Sequence, residues 1–120
     1  MSPTRFPRWV YGSGTEPDPR FTLANERTFL AWIRTALGLI AGGVALEALG
    51  LPLQPGLRLA ASVVLMVMGL VLPLLAWYSW GAAERAVRRG QPLPAPRILL
   101  VLAVGIVVVA TLVLLAMITA

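Results

Sequence analysis

The chain has 120 residues, of which 58% are hydrophobic and only 12% are charged; an average soluble domain has about 25% charged residues. Its mean hydropathy is +0.83, and it contains no cysteine and no histidine. This composition excludes disulfides, thiol chemistry and histidine ligation. Its five carboxylates are also too few for a dedicated metal cage. We therefore expect a membrane protein with no cofactor and no metal site.

Three apolar stretches predict an all-α membrane protein, because each is long enough to cross a bilayer as a helix. The predicted spans are about residues 29–49, 59–81 and 98–119. Residues 50–56 are rich in proline and glycine, which favours a tight turn between antiparallel helices. Residues 82–89 are typical of a helical extension of the second span, with Gly90 as its stop. We expect one three-helix transmembrane domain over residues 20–120, preceded by a flexible cytoplasmic tail over residues 1–19.

The distribution of arginine predicts the orientation of these helices. All ten basic residues are arginine, and most of them precede the first span or lie between the second and third spans. The positive-inside rule therefore predicts a cytoplasmic N-terminus and a C-terminus outside. We expect the basic loop to contact lipids, in particular anionic headgroups, or a partner protein; its arginines are Arg85, Arg88, Arg89 and Arg97. Orientation explains this charge without a nucleic-acid partner.

Arg34 lies inside the first apolar stretch, where a charge is costly. An arginine at the centre of a membrane helix costs about 2.5–3.5 kcal/mol on insertion scales. Arg27 lies two helical turns earlier on the same face. Either Arg34 extends to the headgroup region, or both arginines bind anions along a polar path. Asn25 and Glu26 would provide supporting polar groups for such a path, close to Thr22, which we predict as the helix N-cap.

A stripe of small residues follows the first span at alternating spacings of four and three. Small residues allow close helix packing in lipid, where no hydrophobic force drives helices together. The partner is either another helix of the chain or the same helix in a second copy. Because three helices are too few to enclose a polar path, we expect a homo-oligomer. The stripe consists of Ala31, Thr35, Gly38, Gly42 and Ala45.

The sequence contains no catalytic constellation. It has no serine–histidine–aspartate set, no glycine-rich phosphate loop before a lysine, and no paired carboxylates within a span. We therefore expect that the protein is not an enzyme.

Residues 23–34, LANERTFLAWIR, resemble the signature of the YidH-like family of small bacterial inner-membrane proteins. The resemblance implies three spans over about residues 20–120 and a location in the bacterial plasma (inner) membrane. The same pattern resembles the membrane domain of the eukaryotic vacuolar transporter chaperone complex, where a ring of three-helix subunits conducts polyphosphate.

By that second resemblance, Arg27 and Arg34 occupy the basic positions that face the anionic chain. It implies an oligomeric, pentameric pore for an inorganic anion such as phosphate or polyphosphate. The chain lacks the catalytic and phosphate-sensing domains of that complex, so a non-transporting membrane scaffold or accessory subunit is the alternative.

Overall fold

The computed structural model describes residues 5–95 and 97–120, and within them every regular element is a helix. The helices are α1 (Arg8–Tyr11), α2 (Pro19–Ala48), α3 (Pro55–Arg88) and α4 (Arg97–Ile118). The last three are long and apolar enough to cross a membrane. The prediction of an all-α membrane protein with three transmembrane helices is confirmed.

The first transmembrane helix begins at Pro19, well before the predicted span. The prediction of Thr22 as the N-cap is wrong, because the cap is Asp18, which accepts a hydrogen bond from the backbone N–H of Arg20 at 2.9 Å. Pro19 occupies the first helical position, where the missing N–H would have had no partner in any case. Hydrogen bonds from the Arg20 side chain and backbone also lower the pKa of Asp18 from its ordinary value.

Helix α3 continues past its apolar part, as the sequence predicted. It ends at Arg88, and Gly90 follows with a φ of 64°, the left-handed conformation that glycine adopts without strain. At 1.5 Å per residue the helix is about 51 Å long, whereas the hydrocarbon core of a bilayer is about 30 Å thick. The last turns of α3 therefore extend beyond the membrane core.

Helix α3 lies between the other two transmembrane helices. It packs against α2 on one side and α4 on the other, and no described Cα atom of α2 lies within 8 Å of one in α4. Gly43 lets α2 approach α3 closely, and the Ser62 hydroxyl donates a hydrogen bond to the Gly43 carbonyl at 2.5 Å. The buried apolar residues of the three helices form one core: Ala36, Leu39, Leu65, Met68, Leu72, Ala76 and Ile98.

The residues before α2 differ from the predicted flexible tail. Residues 5–18, which we call the N-terminal segment, lie along the end of α3, and Val10 in α1 is fully buried there. The segment carries aromatic and charged side chains that contact α3, and these contacts between distant parts of the chain are not visible in the sequence. Residues 1–4 of the predicted tail lie outside the described residues.

Candidate functional site

Arg27 and Arg34 lie on a free face of α2. Both side chains are exposed, and neither forms an ion pair with a carboxylate in the described part of the chain. The buried side of α2, which includes Ala36 and Leu39, faces the opposite way, toward α3. The two arginines that the sequence singled out are therefore brought onto one face, and that face has no partner within residues 5–95 and 97–120.

Arg34 lies well inside the membrane-spanning part of α2. Along the helix axis it is about 21 Å from Ala48, the last residue of the helix. If Ala48 marks one boundary of a hydrocarbon core about 30 Å thick, Arg34 lies about 9 Å from the other boundary, and Arg27 lies close to that boundary. The guanidinium of Arg34 must therefore either extend toward the headgroups or find a polar environment that the single chain does not supply.

The predicted stripe of small residues divides between the free face and the edge of the α2–α3 contact. Ala31 and Gly38 are exposed, and a Cβ added at Gly38 would meet no atom within 4 Å. A Cβ at Gly42 would lie 3.7 Å from the Leu65 side chain. Thr35, half-buried like Ala45, donates its hydroxyl hydrogen bond back to its own helix. The central α2–α3 contact uses other residues, so the stripe is not the main interface within the chain.

A second polar group lies at the basic end of the molecule, which we define as residues 5–25 and 77–97. Glu84 is only 1% exposed. Its carboxylate accepts hydrogen bonds from the Thr22 hydroxyl at 2.7 Å and from the Asn25 amide at 3.2 Å. The same amide donates to the Trp80 carbonyl at 2.9 Å. These bonds connect the start of α2 to the end of α3.

The partner of Asn25, Glu84, was not predicted from the sequence. It assigned Asn25 and Glu26 to the surroundings of an anion path, whereas the structure directs Asn25 to Glu84 and leaves Glu26 exposed. A carboxylate immediately after the small residues 81–83 was the available signal for a buried acid. This signal becomes informative only when Thr22 and Asn25 are known to lie opposite Glu84.

Arg88 holds the N-terminal segment against α3. Its side chain is almost fully buried, and its guanidinium donates to the carbonyls of Ser13 at 2.9 Å and Tyr11 at 3.2 Å. It also donates to the carboxylate of Glu16 at 2.8 Å, which Arg5 contacts as well. Arg88, which we expected to contact lipids or a partner protein, therefore forms its contacts within the chain.

The ion pairs of Glu16 depend on pH. Hydrogen bonds from Arg88, and then from Arg5, lower the pKa of Glu16 below its ordinary value of 4.5. A carboxylate with a lowered pKa in the folded state stabilises that state above its ordinary pKa and loses the effect as the pH falls through the lowered one. Docking of the N-terminal segment through Glu16 is thus complete near neutral pH and weakens only in acid below 4.5.

Aromatic side chains reinforce this docking. Trp9 stacks on Tyr78 with ring centroids 6.0 Å apart, and Tyr11 lies 6.2 Å from Trp80. Gly81 makes room for Trp9, because a Cβ at this position would overlap the indole ring. Phe6 stacks on Trp77 of α3 with ring centroids 6.4 Å apart. Trp77, Tyr78 and Trp80 of α3 are therefore partly covered by the N-terminal segment.

The other three arginines of the basic loop differ from Arg88. Arg89 and Arg97 are exposed, and Arg85 is half-buried beside Trp9 and Tyr78. Among the described residues, none of these three arginines forms an ion pair. They remain available for contacts outside the chain.

Three apolar spanning helices, with polar side chains concentrated at one end and on one helix face, define a multi-pass α-helical membrane protein. The family described as Domain of unknown function (DUF202) matches residues 20–86. The chain belongs to this family. Together with the YidH relative described next, this match confirms the predicted resemblance to the YidH-like family.

The relatives agree with this assignment. The chain is 52% identical to an uncharacterized protein of Mycobacterium tuberculosis strain H37Rv over 95 residues, which cover 78% of each chain. It is 42% identical to the inner membrane protein YidH of Escherichia coli K12 over 101 residues, which cover 83% of this chain and 88% of the relative. No solved structure matches the chain. The protein is an inner-membrane protein of the YidH family, as the sequence predicted.

Proposed function

We propose that the protein is the subunit of a homo-oligomeric anion channel or transporter whose path is lined by Arg27 and Arg34. The observation that carries this proposal is the position of Arg34. It is exposed, within the membrane-spanning part of α2, on a face that no other helix of the described chain covers.

The cost of exposing the Arg34 charge to lipid favours a partner for this face. A charged side chain at this depth is costly in lipid, and a ring of identical subunits would replace lipid by water and by neighbouring polar groups. Ala31 and Gly38 lie on the same exposed face and would allow the α2 helices of adjacent copies to approach closely. Symmetric assembly around one axis would then bring one Arg27 and one Arg34 from each copy into rings.

Rings of arginine select anions because they attract negative charge and repel cations. The guanidinium group also matches phosphate oxygens with two parallel hydrogen bonds. Phosphate and polyphosphate are therefore the substrates that we propose. The resemblance to a polyphosphate-conducting ring favours the same substrates and suggests five subunits.

The test is anion flux into liposomes that contain the purified protein. We expect the native protein to admit phosphate or short polyphosphate, and the double variant Arg27→Gln/Arg34→Gln to lose most of this flux while it still assembles. The matched control is Arg8→Gln/Arg97→Gln, which removes the same charge from two exposed residues that lie outside α2. Equal flux in the Arg27/Arg34 variant and the native protein would contradict the proposal.

The alternative is a membrane scaffold or accessory subunit without transport. The unpaired and exposed Arg89 and Arg97 at the basic end favour it, because they are free to contact a second protein. A native complex that contains another protein in fixed ratio, together with no flux from the purified chain, would support the scaffold over the channel.

A further inference from the structure

We propose that the basic end contains a binding site for an anionic phospholipid, with the lipid phosphate held by Arg85 and Arg89. This site is separate from the α2 face and does not depend on the channel proposal. It is a pocket of about 270 Å³ beside the N-terminal segment, and the two arginines line it together with Trp9, Tyr78 and Gln91.

The charges of this pocket are not neutralised within the chain. Arg85 and Arg89 are four residues apart at the end of α3 and therefore lie on one face. Neither forms an ion pair with any of the carboxylates in the described ranges. The Nε atom of Arg85 is shielded from solvent and has no hydrogen-bond partner in residues 5–95 and 97–120. A shielded donor without an acceptor is costly, and a phosphate oxygen is an acceptor that an arginine binds strongly.

The pocket continues into an apolar groove, which distinguishes a lipid from a free anion. The groove has a volume of about 410 Å³ and is lined by Leu75 and Ile98 as well as Arg97. The pocket and the groove share Tyr78 and Ala82. A phospholipid would place its phosphate in the pocket and an acyl chain along the groove, whereas inorganic phosphate has no apolar part to occupy the groove.

The wall of the site matches the boundary of a membrane. Trp9 and Tyr78 are stacked against each other beside the two arginines, and tryptophan and tyrosine side chains are enriched at headgroup level. Juxtamembrane arginines attract anionic lipids on the cytoplasmic side of membranes. With two unpaired arginines in the pocket and no carboxylate among its described lining residues, an anionic headgroup such as phosphatidylglycerol is favoured over zwitterionic phosphatidylcholine.

Native mass spectrometry of the detergent-solubilised, delipidated protein tests the site. Phosphatidylglycerol and phosphatidylcholine with the same acyl chains are titrated separately, and inorganic phosphate is added as a competitor. We expect a clear preference for phosphatidylglycerol that equimolar inorganic phosphate does not remove. The variant Arg85→Gln/Arg89→Gln should bind phosphatidylglycerol about 25-fold more weakly, which is about fivefold for each arginine.

The control Arg8→Gln/Arg20→Gln removes the same charge elsewhere and should retain the native affinity. If the double variant loses helicity by circular dichroism, Arg89→Gln decides, because Arg89 is exposed; it should bind about fivefold more weakly. Equal binding of the two lipids, or native affinity in the Arg89 variant, would overturn the site. Displacement of the lipid by equimolar inorganic phosphate would identify a free anion as the ligand and overturn the lipid proposal.

Discussion

Two buried side chains at the basic end, Glu84 and Arg88, hold the first part of the chain against α3. A buried charge is tolerated only when hydrogen bonds replace the water that it has lost. Glu84 receives such bonds from Thr22 and Asn25, and Arg88 donates them to two backbone carbonyls and to Glu16. Consecutive turns of α3 thus hold different segments, with Glu84 contacting α2 and Arg88 contacting the residues before it.

Removing the carboxylate of Glu84 should destabilise the protein more than removing the exposed carboxylate of Glu26. Glu84→Ala leaves the Thr22 hydroxyl and one hydrogen of the Asn25 amide without their acceptor. The expected loss is about 1–3 kcal/mol in the free energy of unfolding. Unfolding in mixed micelles, followed by circular dichroism, measures it. Glu26→Ala is the matched control, because Glu26 is exposed and should change stability little; equal losses in both variants would contradict a specific role for Glu84.

The helices were predictable to different degrees. The three transmembrane helices follow from apolar length, and the end of α3 follows from Gly90. The start of α2 was placed too late, at Thr22, although Asp18 followed by Pro19 is a standard start signal. Helix α1 has four residues, too few for any periodicity, and it is stabilised by contacts with α3 that only the folded chain provides.

Packing of α1 against α3 should depend on the absence of a side chain at Gly81. In Gly81→Ala, the new methyl group would occupy the position of the Trp9 ring, so α1 must move away from α3. The chain has no cysteine, so a spin label on a cysteine at the exposed Arg8 reports this movement. We expect the label to become markedly more mobile in Gly81→Ala than in the parent.

Gly38→Ala is the control for this substitution, because it adds the same methyl group where no atom lies within 4 Å. Label mobility should then equal that of the parent. An unchanged label in Gly81→Ala would show that the Trp9 contact does not hold α1 in place.

At the scale of the whole molecule, the arrangement of the helices around α3 leaves one face of α2 and most of α4 without a partner in the chain. The sequence could not assign these faces, because a membrane helix is apolar on its buried side and on its lipid side alike. Helical periodicity puts Arg27 and Arg34 on one face of α2, and in the structure both are exposed. The face of α2 that α3 covers depends on Gly43 and Gly69, where the two helices approach closely. No sequence pattern identified these two glycines as packing residues.

If the free face of α2 is where copies of the chain meet, a bulky residue there should block assembly without disturbing the single chain. In Gly38→Leu the side chain extends into open space in one subunit, so the fold is retained, but it would separate two α2 helices that approach through Ala31 and Gly38. We expect self-association in detergent, measured by sedimentation or cross-linking, to weaken by at least about tenfold, a loss of about 1.4 kcal/mol. Ala103→Leu places the same leucine side chain on the exposed surface of α4 and should leave association unchanged. Oligomers of native affinity in Gly38→Leu would exclude α2 as the contact between subunits and would remove the structural basis for rings of Arg27 and Arg34.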